Sequence, residues 1–497
     1  MKKILLATSE CMPFVKTGGL ADVAGAMPKY FDKRRYDVRV IMPMYTLIDE
    51  KYKEQMEYMT HFYTGWNFQD RYVGLLKLEM DGVTYYFIDC NDFFSGDKPY
   101  GYIRDDVEKF AFFSRQVLSV LPHLNWKPDI IHCNDWQTGL IPVYLNDSFQ
   151  GDVFYHQMKT IFTIHNLKFQ GIWSLQDMPK LTNLSEYYFT PDKLEAYGDG
   201  NMLKGGLVYA DRITTVSETY AEEIKTPFYG EHLDGLLKAR ENVLSGIVNG
   251  IDVNYYNPKT DADIPFHYDV KNALEGKAEN KKALQKELGL KEDPNAFMIG
   301  IVSRLTDQKG LDLVDYVMEQ LCAPDVQLVI LGTGDEKYEN LFKFYHEKYP
   351  DRVSNNNFYS ESLSHRIYAG CDAYLMPSIF EPCGLSQLMA LRYGTLPIVR
   401  ETGGLKDTVH AYNEYTNEGT GFSFANINAN EMMDCINYAK YIYQNKRDAF
   451  NEMVIRAMKE DFSWKASAKK YGELYDELVD EKKETEKQFK QSQRTKK

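Results

Sequence analysis

The sequence is poor in cysteine, short of positive charge and without a long apolar run, and each shortage narrows what the chain can be. Its seven cysteines (Cys11, Cys90, Cys133, Cys322, Cys371, Cys383 and Cys435) are odd in number and scattered, with no CxxC pair and no spaced Cys/His cluster. That excludes a disulfide framework and a zinc site of the usual spacing, and predicts a reduced, cytoplasmic setting. The opening run Ile4-Leu5-Leu6-Ala7 stops at Thr8-Ser9-Glu10, too short for the apolar core of a signal peptide or for a membrane span, and reads as a first strand. Lys and Arg number 58 against 72 Asp and Glu, a formal net charge of −14. Nucleic-acid affinity depends on cations neutralising phosphates, so that partner is not expected, and neither is a membrane. No Gly-x-Gly-x-x-Gly or Walker loop is present, which counts against a dinucleotide cofactor and against ATP hydrolysis. No cofactor and no metal are expected.

What is present describes a folded α/β protein. A chain of 497 residues exceeds what one core organises, and 44% hydrophobic with 26% charged residues is ordinary for a globular protein. The 37 Tyr and 27 Phe mostly read as core, with some flat faces left to stack on sugars or bases. Short apolar runs alternate with helical stretches, the pattern of parallel sheets covered by helices. Strands are predicted at Ile4–Thr8, Val38–Met42, Ile130–Cys133, Thr160–Ile164, Arg212–Val216 and Ser245–Val248, a helix at Ala21–Phe31, and a hairpin over Gly74–Asp89 turning at Asp81-Gly82. A second series opens with the strand Phe297–Val302 and continues at Val326–Leu331, Ala373–Met376 and Leu396–Val399. The expected organisation is a first domain over 1–250, a second over 251–458, a closing helix within 459–480 marked by Tyr471, Leu474 and Leu478, and a charged, disordered tail over 481–497.

Polar residues gather after the strands, where open α/β sheets hold their ligands. Lys16-Thr17-Gly18-Gly19-Leu20-Ala21-Asp22 joins the first strand to the first helix. Two glycines, a lysine and a helix N-terminus there suit a phosphate, although a glycine turn with one lysine also serves as a plain connector. In the second half, Arg304 and Lys309 of Ser303-Arg304-Leu305-Thr306-Asp307-Gln308-Lys309-Gly310 follow a strand. Two fixed cations can neutralise a departing diphosphate without a metal. Phe380-Glu381-Pro382-Cys383-Gly384-Leu385-Ser386-Gln387 follows another. Its carboxylate, Glu381, either stabilises positive charge at a sugar carbon or caps the next helix. Thr402-Gly403-Gly404 is a further glycine turn before a helix, suited to the same diphosphate.

The string from Lys16 to Val23, with Ser9-Glu10, Pro13-Phe14 and Pro28 around it, resembles the amino-terminal signature of bacterial glycogen synthases and plant starch synthases. The resemblance runs to about residue 479. Arg304 and Lys309-Gly310 match that family's R-x-x-x-x-K-G pattern, and Glu381 to Gln387 match its Glu-Pro-Cys-Gly-Leu-Ser/Thr-Gln form. Many transferases of related shape carry a second glutamate eight positions after the first, where this chain has Met389. The resemblance implies two Rossmann-like domains facing across a cleft, the fold called GT-B, with the final helix returning to the first domain. It implies a retaining enzyme that moves glucose from ADP-glucose to the non-reducing end of an α-1,4-glucan, with UDP-glucose the alternative donor. It assigns Lys16, Gly18, Gly19, Asp22, Asn166, Asn249, Cys383, Gly384, Leu385, Thr402, Gly403 and Gly404 to substrate binding. Asp135 and His165 go to the acceptor and donor sugars, and Tyr359 to the nucleotide base. By pattern alone His165 reads equally as a structural histidine, Tyr359 as a core tyrosine and Cys383 as a packing residue rather than a nucleophile. A glucan-binding protein without activity would need a damaged donor site, and Lys16, Arg304, Lys309 and Glu381 are all in place.

Overall fold

A computed structural model describes the backbone of residues 1–495 and the side chains of residues 1–481. The chain divides into two compact units. The first comprises Met1–Val216, Ala221–Asn249 and the chain from Trp464 onward; the second comprises Ser217–Tyr220 and Gly250–Ser463.

The first unit is built on β1 (Lys2–Ala7), β2 (Tyr36–Pro43), β3 (Glu57–Trp66), β4 (Gln69–Met80), β5 (Val83–Asp89), β6 (Ile130–Asn134) and β7 (Lys159–Ile164). A small separate antiparallel sheet follows, of β8 (Ile172–Ser174), β9 (Glu195–Ala196) and β10 (Asp199–Asn201), and then β11 (Arg212–Thr215) and β12 (Leu244–Gly246) complete the main sheet. Its strand order is β12-β11-β7-β6-β1-β2-β5-β4-β3. The pairs from β12 to β5 are parallel, and β4 and β3 extend the sheet antiparallel. The β4–β5 turn is the expected Asp81-Gly82, both at positive φ (53° and 70°), as a hairpin matching strand twist requires. Strand β3 escapes sequence reading because its turn to β4 is Asn67-Phe68, also at positive φ (50° and 62°), and a phenylalanine there carries no turn signal.

The second unit carries β13 (Phe297–Val302), β14 (Val326–Leu331), β15 (Val353–Asn356), β16 (Ala373–Met376), β17 (Leu396–Arg400) and β18 (Phe422–Phe424), all parallel, in the order β15-β14-β13-β16-β17-β18. Strand β14 is buried at every residue, which is why it reads as an unbroken apolar run rather than an alternating one. The helix Leu311–Leu321 covers this sheet with Leu311, Val314, Val317, Met318 and Leu321, the three-and-four spacing of one helix face.

The last helix, Trp464–Thr495, packs on the first unit. Tyr471, Tyr475 and Leu478 are buried, the Tyr36 hydroxyl donates to the Gly472 carbonyl (3.0 Å) and to Asp476 (2.9 Å), and Lys2 and Arg35 pair with Asp476. The Tyr475 hydroxyl meets Nδ1 of buried His132 at 2.8 Å, whose Nε2 lies 2.6 Å from the Thr163 hydroxyl. Of the stretch 481–497, expected as a disordered tail, the side chains beyond 481 lie outside the described residues. No described helix is long and apolar enough to cross a membrane.

Candidate active site

In both main sheets the order of the strands reverses at one place. In the first, β1 is flanked by β2 and β6; in the second, β13 is flanked by β14 and β16. The loops leaving the carboxyl ends of such a central pair diverge and open a crevice, where α/β proteins of this order bind nucleotides and sugars. The residues after β1 and β6, and those after β13 and β16, include the ones chosen from sequence.

In the first unit β1 runs into Thr8, Ser9 and Glu10, all buried. One oxygen of the Glu10 carboxylate accepts both the backbone N–H and the hydroxyl of Thr17 at 2.6 Å, which shapes the loop ahead of the helix Gly19–Ala26. Gly18 is extended at φ −159°, and a Cβ there would make only ordinary contact, 3.8 Å from Glu10, so the backbone does not demand this glycine. Lys16 pairs with Asp22 at 3.0 Å. Burial pushes the Glu10 carboxyl up to about 7, against the lowering effect of the Thr17 bonds.

After β6, Asp135 is held at φ 57°, ψ −179°, a conformation that a non-glycine residue adopts only under the hold of its surroundings. Its Oδ1 accepts the backbone N–H groups of His165 (2.7 Å) and Asn166 (3.4 Å), and burial raises its carboxyl to about 7. Asn134 donates to the Ala7 carbonyl (3.0 Å), so its Oδ1 faces His165 Nε2 at 2.8 Å. The histidine therefore carries its proton on Nε2 and presents Nδ1 as an acceptor. Desolvation lowers it to about 3, so it stays neutral. Asn249 is buried, and its Oδ1 has no hydrogen-bond partner among the described residues.

In the second unit four loops interlock by backbone contact. A Cβ at Gly310 (φ 68°) would stand 1.9 Å from the Pro377 carbonyl oxygen, at Gly332 1.8 Å from that of Ser303, at Gly403 (φ 44°) 2.0 Å from that of Glu381, and at Gly404 2.1 Å from that of Cys383. These positions admit only glycine. The loops after β13, β14, β16 and β17 are thus locked together, and Gln308 stitches two of them: its carbonyl accepts the Ile379 N–H (2.9 Å) and its side chain donates to the Phe380 carbonyl (3.3 Å). Buried Arg400 adds bonds to the Ser378 and Ile379 carbonyls.

This frame holds buried Glu381, whose Oε2 accepts from Lys309 Nζ at 2.6 Å and from the Ser378 hydroxyl at 3.0 Å. Arg304 stands exposed at the head of the same loop as Lys309. A carboxylate and an ammonium in contact at a strand crossover, with a guanidinium on the same loop, can hold an anionic leaving group beside a sugar carbon.

Residues 3–239 match the starch synthase catalytic domain family and residues 280–456 match the family of glycosyl transferases group 1. Glycogen synthase of Lachnospira eligens is 65% identical over 478 residues, spanning 96% of this chain and all of that protein. Glycogen synthase of Lachnoclostridium phytofermentans is 60% identical over the same shares. The chain belongs to the glycogen synthase family. The catalytic domain of starch synthase IV from Arabidopsis thaliana, solved bound to ADP and acarbose, superposes with a TM-score of 0.89 at 31% identity, covering 96% of this chain and 99% of that one. Sucrose-phosphate synthase of Thermosynechococcus elongatus, at 16% identity and a TM-score of 0.59 over 96% of this chain and 99% of that one, shares the fold. The fold is GT-B, two Rossmann-like units, as the sequence resemblance implied.

Within this glycogen synthase family member, the structure brings Lys16 and Asp22 together in one cluster, Asp135, His165 and Asn166 in a second, and Lys309, Glu381, Cys383, Gly403 and Gly404 in a third. Glu381 does not cap a helix: the helix begins at Ser386, after Gly384 (φ 70°) and Leu385. Tyr359 is 75% exposed and is no core residue. Cys383 is a buried thiol whose carbonyl accepts from Gln387 (3.0 Å). Thr402 is buried beside the glycine pair. Sequence reasoning missed Ser378, Gln308 and Arg400, which orient the site through backbone carbonyls and a single hydroxyl. Such contacts have no spacing pattern, and only the proximity of Ser378 to Glu381 in the chain offered a signal.

Proposed function

We propose that the protein extends an α-1,4-glucan in the cytoplasm, transferring glucose from ADP-glucose to the 4-hydroxyl at the non-reducing end with retention of configuration. Relatives of the full length of this chain carry the name glycogen synthase, and the starch synthase relative was solved with ADP. The observation that carries the reading is the Lys309–Glu381 contact, buried in a frame of glycine-locked loops. A frame of that kind is organised before substrate arrives, so no reorganisation opposes the reaction.

The second unit is assigned the donor. Arg304 and Lys309 take the diphosphate, Thr402, Gly403, Gly404, Gly384 and Leu385 border it, and Tyr359 stacks on the base. Glu381 keeps Lys309 in place and stabilises the positive charge that grows on the anomeric carbon. The first unit is assigned the acceptor through Asp135, the donor sugar through His165, and further substrate contacts at Lys16, Gly18, Gly19, Asp22, Asn166 and Asn249. His165, neutral, accepts a sugar hydroxyl at Nδ1. Asp135, with its carboxyl near 7, either accepts or donates. In the transfer the bond from the anomeric carbon to the phosphate oxygen breaks. The acceptor oxygen bonds to the same face of that carbon, and its proton passes to the leaving diphosphate.

Incubation with a malto-oligosaccharide and either ADP-glucose or UDP-glucose, followed by chromatography of the products, tests the proposal. Stepwise extension with ADP-glucose, faster than with UDP-glucose, is expected. Equal or faster extension with UDP-glucose overturns the donor assignment, and no extension with either overturns the function.

A further inference from the structure

Tyr359 is a large ring standing in solvent immediately before the helix Glu361–Gly370, whose N-cap is Ser360. A ring so exposed has little packing to fix it, and free rotation about its side-chain bonds would oppose stacking on a ligand. Its hydroxyl, however, donates to Glu361 Oε2 at 2.7 Å. The other oxygen of Glu361 accepts the hydroxyl of buried Tyr256 at 3.0 Å. The chain of contacts goes on inward. Buried His365, one helical turn along, has Nε2 3.7 Å from Glu361 Oε1 and Nδ1 2.7 Å from Oδ2 of buried Asp261. Asp261 also accepts from the hydroxyl of Tyr393 and from the backbone N–H of Asp263 (2.9 Å). Between two carboxylates His365 is raised to about 9, against its own desolvation, so at neutral pH it is a cation that helps hold the Glu361 side chain in position. Asp261 lies in the 250s to 260s loop, Tyr393 follows the helix Ser386–Arg392, and Glu361 and His365 share a helix. Three separate parts of the second unit therefore converge behind a single exposed ring.

We propose that Glu361 is a positioning residue for the nucleotide donor, holding the Tyr359 ring by its hydroxyl in the orientation that stacks on the base, with His365 and Asp261 as its buried anchor. The proposal rests on the base-stacking role given to Tyr359 above. Pre-ordering of the ring lowers the cost of binding the nucleotide and leaves the reacting atoms untouched, so its loss appears in the donor KM and not in kcat.

The test uses Tyr359→Phe, which keeps the ring and removes the hydroxyl, together with Glu361→Ala, the double variant and Tyr359→Ala. The donor KM and kcat are measured with ADP-glucose, and inhibition by inorganic pyrophosphate, which has no base, is measured alongside. Tyr359→Phe and Glu361→Ala are each expected to raise the donor KM by about five-fold, the scale of the net contribution of one ordinary hydrogen bond. The double variant should be no worse than the worse single one, with kcat and pyrophosphate inhibition unchanged. Wild-type KM in Tyr359→Phe, or additive effects in the double variant, overturns the positioning role; Tyr359→Phe settles this even where Glu361→Ala fails to fold. A matching loss of pyrophosphate inhibition also overturns it, since that marks a general disturbance of the site. If Tyr359→Ala too keeps the wild-type KM, the base-stacking role itself has failed, and the two failures are told apart.

Discussion

Lys309 reaches Glu381 across 72 positions of sequence, and in the proposed reaction the lysine also meets the diphosphate. Removing Lys309 or Arg304 as alanine should lower kcat by about 10² to 10³, the usual scale for one charge-stabilising donor; steady-state rates with saturating donor and acceptor measure it, and wild-type turnover in both would refute the assignment. Glu381→Ala should be folded by circular dichroism yet almost inactive. Glu10 makes a prediction about pH. Its folded value of about 7 lies above the ordinary 4.5, so the folded state holds a proton that the unfolded state releases. The stability it contributes is therefore full at low pH and is lost as pH rises from about 4.5 through about 7. Glu10→Gln keeps the bonds to Thr17 without the charge. It should gain on the wild type by up to about 3 kcal/mol as pH goes from 4.5 to 8, read as a widening difference in Tm. The comparison must be with the wild type, because His132 and His165, both pushed down to about 3, give slopes of the opposite sign below about 6.5. A constant difference in Tm would contradict the burial argument.

At the scale of elements, the proposed donor site is a set of loops held in register by glycines. Gly403→Ala would place a methyl group 2.0 Å from the Glu381 carbonyl oxygen, and the backbone that carries the carboxylate would have to move. Activity should fall by at least about 10²-fold, as misplacement of a catalytic group does, whereas Gly289→Ala, with open space around it despite a positive φ, should cost stability only. Equal activity losses in the two variants would count against the interlock. Much of this was legible beforehand. The strands of both sheets other than β3, β15 and β18 read as apolar runs, and the loops that carry Lys16, Arg304, Lys309, Glu381 and the glycine turns follow strands as expected. Strand β12 was read as Ser245–Val248 and is Leu244–Gly246, and the helix expected to Phe31 ends at Ala26 with a tighter turn over Met27–Tyr30. What did not show was anything carried by a backbone carbonyl or a buried partner: Arg400 against Ser378, Gln308 against Phe380, Asp261 behind His365. Those contacts join residues tens to a hundred positions apart, and no local pattern encodes them.

For the whole molecule, the chain builds most of the first unit, then most of the second over Gly250–Ser463, and returns to the first from Trp464. The closing helix is part of the first unit's core. Tyr475→Ala would leave a large cavity and strip His132 of a partner, a loss of about 3 to 5 kcal/mol, seen as a lower Tm. A chain ended before Trp464 should be insoluble; an unchanged Tm in Tyr475→Ala would show the helix to be peripheral. The proposed function requires above all that the second unit's cations hold the leaving diphosphate. A crystal structure of the protein with ADP tests it most directly. The diphosphate should lie in hydrogen-bonding contact with Lys309 and Arg304 beside Gly403 and Gly404. ADP bound elsewhere, touching neither cation, would contradict the account.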